Sequence, residues 1–180
     1  MKFLKTTIPD LILIEPLIHK DYRGYFFESY RHDLLEQKLG YEVNFVQDNE
    51  TKSKKGVLRG LHFQLPPFNQ NKLCRVIEGS ILDVAVDLRK DSTTFGKHLA
   101  VELTGDNKRQ LFIPKGFAHG YLTLSETAIF FYKVDNYFSP ESQKGIAFDD
   151  DFLSIDWRLS HKDIHLSSYD KCNLNFSDYF

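Results

Sequence analysis

Between Gly56 and Lys72 the chain reads GVLRGLHFQLPPFNQNK, which sets Arg59, His62, Gln64 and Lys72 around a Pro66–Pro67 turn. Imidazole gains and loses a proton near neutral pH. A guanidinium grips phosphate through a planar fork, and an ammonium can face a developing oxyanion. A base, a phosphate binder and an oxyanion stabiliser so close together suit proton abstraction beside a carbonyl on an anionic substrate. The plainer alternative is a hairpin whose polar side chains face water.

Other candidates lie further along. His119 stands in IPKGFAHGY, Tyr132 between Phe131 and Lys133, and Asp170 in LSSYDK, while Arg23, Phe26 and Glu28 sit among the aromatics of DYRGYFFESY. Alone, a mid-strand tyrosine reads as core and an aspartate as surface. Together they could form a site in which Asp170 orients His62 and Tyr132 supplies a proton from the opposite face, if the fold brings them together. A metal centre needs several imidazoles or carboxylates in close spacing, such as a His-x-His pair. Gln64 occupies the position two after His62, so no metal site is expected.

The elements that must position these groups read as β structure. The chain has 180 residues, with sixteen Phe and nine Tyr among 14% aromatics. That length fits one domain, and that composition favours pleated, half-buried strands. Short strands are expected at Ile12–Pro16, Gly24–Glu28, Ser80–Leu88, Leu99–Leu103, Arg109–Ile113 and Thr127–Val134, with turn signals between them. In the last of these, Ala128, Phe130, Tyr132 and Val134 share one face, and the other is also largely apolar. Such a strand belongs inside a sandwich or jelly roll. One helix is expected over Asp33–Leu39, stopped by Gly40. After Trp157 the alternation fades, which predicts loops and short helical turns packed across the barrel.

The formal net charge of −2 gives no basic footprint for nucleic acid. Cys74 and Cys172 are too few for a disulfide framework and read as reduced thiols. The N-terminus lacks the unbroken apolar core of a signal peptide, and no stretch approaches the ~20 apolar residues of a membrane span. A soluble, cytoplasmic protein is expected. The exposed sheet edge of such a fold is commonly covered by a partner, so a homodimer that pairs through an N-terminal strand is expected too.

Seven segments, DYRGYFFESY, VQDNETKSKKGVLRGLHFQLPP, NKLCRVIEG, DVAVDLRKDSTTFG, IPKGFAHGY, YKV and LSSYD, occur in the order seen in dTDP-4-dehydrorhamnose 3,5-epimerases. The resemblance covers roughly residues 8–171. It implies an all-β, cupin-type jelly roll that works as a homodimer on a nucleotide-linked 4-keto-6-deoxy sugar, without metal or other cofactor. It further implies that His62 is the base, Asp170 its orienting partner, Tyr132 the proton donor and Lys72 the enolate stabiliser. Arg23, Phe26, Glu28, Gln47, Asp48, Asn49, Arg59, His119, Phe138, Gln143 and Tyr169 are implied to bind substrate.

The chain departs from the family pattern at three of these positions. Phe138 stands where a second tyrosine is frequent, Gln143 where Glu is common, and Tyr169 where Lys is usual. These changes point to an altered nucleotide end and leave GDP open in place of dTDP. The activity expected is epimerisation at C3 and C5, or at C3 only. A 3,4-ketoisomerase on the same scaffold is the enzymatic alternative. A non-catalytic sugar-nucleotide-binding cupin is the other, though such a module has no need of an acid–base pair.

Overall fold

A computed structural model describes residues Met1–Phe180. Strands β1 (Lys2–Lys5) and β2 (Ile12–Glu15) lead into a small hairpin, β3 (His19–Asp21) and β4 (Gly24–Phe26), and then helix α1 (His32–Leu39). The barrel strands follow as β5 (Gln47–Lys54), β6 (Leu58–Gln64), β7 (Lys72–Glu78), β8 (Ser80–Asp87) and β9 (His98–Thr104). They close with β10 (Gln110–Ile113), β11 (Phe117–Thr123), β12 (Thr127–Val134) and β13 (Gln143–Gly145), ahead of three short 3₁₀ turns. Two antiparallel sheets face each other, one in the order β1-β2-β10-β7-β12-β5 and the other β13-β6-β11-β8-β9. This is the expected cupin-type jelly roll.

The apolar sequence fills three layers. Between the sheets, Cys74 and Val76 of β7 meet Ile81 and Ala85 of β8, Phe117 and Tyr121 of β11, and Ala128 and Phe130 of β12. Leu82, Val84 and Val86 point the other way from β8 and are covered by the C-terminal segment through Leu153, Ile155, Trp157 and Phe176. From the region after Trp157, Phe176 is buried in this layer and Leu159, Ile164, Leu166 and Tyr179 pack against it, as expected of that region. Helix α1 covers the outer face of the six-stranded sheet, with Leu35 buried against Ile12, Ile14, Leu73 and Phe112. Gly40 ends it in the left-handed region at φ +78°, its N–H donating to the Glu36 carbonyl at 2.8 Å.

Strands β8, β10 and β12 appear where the alternation places them. Strand β11 was not expected, because both its faces are buried and FAHGYLT therefore shows no polar–apolar alternation to read.

Candidate active site

A single irregularity in β6 builds the site. His62 opposes His119 of β11, and Arg59 opposes Tyr121, with a register shift between the two pairs. Three steps on β6 thus match two on β11, so β6 carries one extra residue. In a regular strand, side chains three apart point to opposite faces. The bulge re-aims the strand, and Arg59 and His62 line the same cavity of about 490 Å³. Gly60 makes room for it. A Cβ there would lie 2.5 Å from the Gly120 Cα, and the residue takes φ +125°, in the region that favours glycine.

His62, Lys72, Tyr132 and Asp170 converge on that cavity, whose lining also includes His119 and His165. His62 Nε2 lies 2.5 Å from Asp170 Oδ1, and the Ser167 hydroxyl donates to Asp170 Oδ2 at 2.7 Å. Burial pushes the Asp170 carboxyl up, but the hydrogen bonds from His62 and Ser167 outweigh it and hold the group below the usual carboxylate range. Lys72 shares the inner face of β7 with Cys74. Burial lowers its ammonium below the ordinary lysine value, with Cys74 and Asp83 opposing. Burial, then Cys74 and Tyr121, raises the Tyr132 phenol to about 12, so its proton is retained near neutrality.

Further polar pairs lie in and beside the cavity. Arg59 Nε donates to the Ser53 hydroxyl at 3.2 Å, and the Tyr121 hydroxyl bonds Thr51 at 2.7 Å. His119 Nε2 is 2.7 Å from Asp83 Oδ1, and burial lowers the imidazole below its ordinary value. An adjoining space of about 260 Å³ shares His62, Lys72, Tyr132 and Gln143 with the first and adds Gln47, Asn49, Gln64 and Phe138. Gln47 Nε2 donates to Asn49 Oδ1 at 2.8 Å. The Tyr169 ring stands edge-on to the His62 imidazole, with centroids 5.9 Å apart.

Four predicted binding residues lie elsewhere. Asp48 alternates with Gln47 and Asn49 on β5, so its side chain turns outward and pairs with Lys133 at 2.8 Å. Arg23 bonds Asp21, Glu28 bonds Arg31, and Phe26 is 67% exposed. Their segment lies on the outer face of the six-stranded sheet. Gln110 Nε2 donates to the Ser29 carbonyl at 2.7 Å, and Arg75, outward on β7, stacks on Phe27. Within one chain, that sheet separates Arg23, Phe26 and Glu28 from the cavity.

Sequence reasoning missed Asp83, Cys74, Tyr121 and Ser167. The one available signal was Asp83 inside the apolar run ILDVAVD. The donor atoms of Cys74, Asp83 and His119 lie within 4.8 Å of one another, but the Lys72 ammonium faces the same interior and opposes a cation there.

The sequence pattern described as dTDP-4-dehydrorhamnose 3,5-epimerase matches residues 5–176. The Salmonella typhimurium dTDP-4-dehydrorhamnose 3,5-epimerase is 52% identical over 160 residues, 89% of this chain and 87% of that protein. The crystal structure of the Elizabethkingia anophelis dTDP-4-dehydrorhamnose 3,5-epimerase superposes with a TM-score of 0.96 at 47% identity, covering 99% of this chain and 98% of that one. The Legionella pneumophila dTDP-6-deoxy-D-glucose-3,5-epimerase, in complex with dTDP-4-keto-L-rhamnose, gives 0.95 at 45% identity, over 99% of this chain and 94% of that one.

Proposed function

The chain belongs to the dTDP-4-dehydrorhamnose 3,5-epimerase family, and from that premise we propose that it inverts both C3 and C5 of a dTDP-linked 4-keto-6-deoxy sugar. It is an epimerase, an isomerase acting on a nucleotide sugar. The single observation that carries the mechanistic reading is that His62 and Tyr132 enter one cavity from opposite sheets. A sugar between them presents one face to each.

The C4 ketone acidifies the neighbouring C–H bonds. Asp170 holds His62 Nε2, which leaves Nδ1 to take the proton from C3 or C5. The electron pair moves onto the C4 oxygen as an enolate, and Lys72 stabilises that charge. An aimed donor of this kind contributes about 3 to 4 kcal/mol. Tyr132 then protonates carbon from the other face, and the centre inverts. Arg59 lies within reach of a diphosphate, while Phe138, Gln47 and Asn49 line the outer end where a nucleoside would rest.

We also propose a homodimer. Arg23, Phe26 and Glu28 cannot reach their own cavity past the six-stranded sheet, whereas a second copy can present them to it. Strand β1, exposed at the sheet edge and paired only with β2, offers an edge for that association.

The test is incubation in deuterated water with matched dTDP- and GDP-linked 4-keto-6-deoxy sugars, read by NMR. Deuterium at C3 and C5 of the dTDP sugar is expected. Label at C3 alone, carbonyl migration without inversion, or preference for the GDP sugar would each overturn the corresponding part of this reading.

A further inference from the structure

Asp83 has no solvent exposure, and a carboxylate in that position is sustained only by the charges and donors around it. It lies on the inner face of β8, where its Oδ1 meets His119 Nε2 at 2.7 Å. Its Oδ2 has no hydrogen-bond partner. The charged and titratable groups facing this interior are Lys72 and Cys74 from β7, His119 and Tyr121 from β11, Tyr132 from β12, and Arg59 and His62 from β6. Most are already engaged. His62 is held by Asp170, Arg59 by Ser53, and the Tyr121 hydroxyl by Thr51. Burial keeps the Cys74 thiol protonated. Lys72 is the remaining cation, with no carboxylate at ion-pair distance.

We propose that Asp83 is a positioning residue for the epimerisation site, fixing His119 through one carboxylate oxygen and supporting the positive charge of Lys72 with the other. The proposal rests on the epimerase reading and adds to it a residue that never touches substrate. With Nε2–H donated to Asp83, His119 leaves Nδ1 as an acceptor, which suits a sugar hydroxyl. Lys72 must stay protonated until the enolate forms. A fixed carboxylate nearby favours that state without sitting close enough to neutralise the ammonium in an ion pair.

The variant Asp83→Asn keeps the shape and removes the charge. Its kcat is expected to fall about 10- to 100-fold, with deuterium exchange at C3 and C5 reduced together. The alkaline limb of kcat/KM is expected to move to lower pH by about one unit, because the buried ammonium loses a neighbouring anion. A role confined to packing would leave that limb where it is. An unmoved limb, or activity within about twofold of the parent protein, overturns the proposal. Should Asp83→Asn not fold, the parent protein supplies the second measurement. ¹⁵N NMR of His119 is expected to show a protonated Nε2 and a bare Nδ1, and the reverse tautomer overturns the proposal. That spectrum needs no substrate, so its outcome is independent of whether the protein epimerises a dTDP sugar.

Discussion

At the scale of single residues, base and acid can be separated because they do different things to the same proton. His62→Ala should abolish solvent exchange at both carbons, since His62 is the imidazole that Asp170 holds by a hydrogen bond. Exchange at the parent rate in that variant would falsify the assignment. Tyr132→Phe should act differently. His62 can still remove a proton and return it to the same face, so exchange continues while inversion falls by about 100- to 10,000-fold. Equal losses of exchange and inversion would mean that Tyr132 is not simply the acid. Tyr169 tests the outer shell. Its ring meets His62 edge-on, a contact worth roughly 0.5–1.5 kcal/mol, so Tyr169→Ala should lower kcat by about tenfold or less. Tyr169→Phe keeps the ring and should stay close to the parent rate. An equal loss in both variants would assign the effect to the hydroxyl instead.

At the scale of elements, the β6 bulge is the feature on which the site depends. Gly120 lies across from it, and a Cβ there would sit 2.9 Å from the Arg59 carbonyl oxygen. Gly120→Ala should therefore push β6 and β11 apart, destabilise the fold by about 1–3 kcal/mol, and lower activity further by displacing His62 relative to Tyr132. Chemical denaturation and kcat together check this, and unchanged values for both would refute it. The bulge also explains what the sequence concealed. GVLRGLH showed which side chains were chemically apt, but a period of two sends Arg59 and His62 to opposite faces. Only the pairing with β11 reveals the extra residue. Strand β12 was legible because its inward residues recur at every second position, while Asp48 was misplaced because the motif carrying it had not been resolved into its two faces.

A second element-scale feature ties the N-terminal segment to the end of β8. Asp87 is fully buried and accepts from Arg89, Ser92 and Thr94, while Arg89 reaches Asp10 at 2.7 Å. Burial raises this carboxyl, but the donors overcome it and bring it down to about 2. Its folded value lies below the unfolded value of ~3.9. The stabilisation is therefore present above that unfolded value and is lost as pH falls toward the folded one. Asp87→Asn should be less stable than the parent near neutral pH by about 1.5–3 kcal/mol, with the gap closing as pH falls from about 5 to 2. A gap that is constant across that range in denaturant titrations would count against the ionised carboxylate as its source.

At the scale of the whole molecule, the question is whose side chains complete each cavity. Strands β8, β10 and β12 could be anticipated from the chain, because alternation acts within a strand. The position of the β3–β4 hairpin could not, because it depends on which face of a sheet a loop covers. That hairpin exposes Tyr22, Tyr25 and Phe26 together, and clustered exposed aromatics mark contact surfaces. If a partner's Arg23 serves each cavity, two inactive variants should rescue each other. In a mixed dimer of His62→Ala and Arg23→Ala, one cavity carries both defects. The other combines an intact His62 from one chain with an intact Arg23 from its partner. Random exchange makes half of the dimers mixed, so about a quarter of the parent activity per chain should return. Were Arg23 to serve its own chain's cavity, each site would keep one defect and mixing would restore nothing. Unfolding, mixing and refolding the two purified variants, then measuring turnover against each alone, distinguishes a site shared between two chains from one built within a single chain.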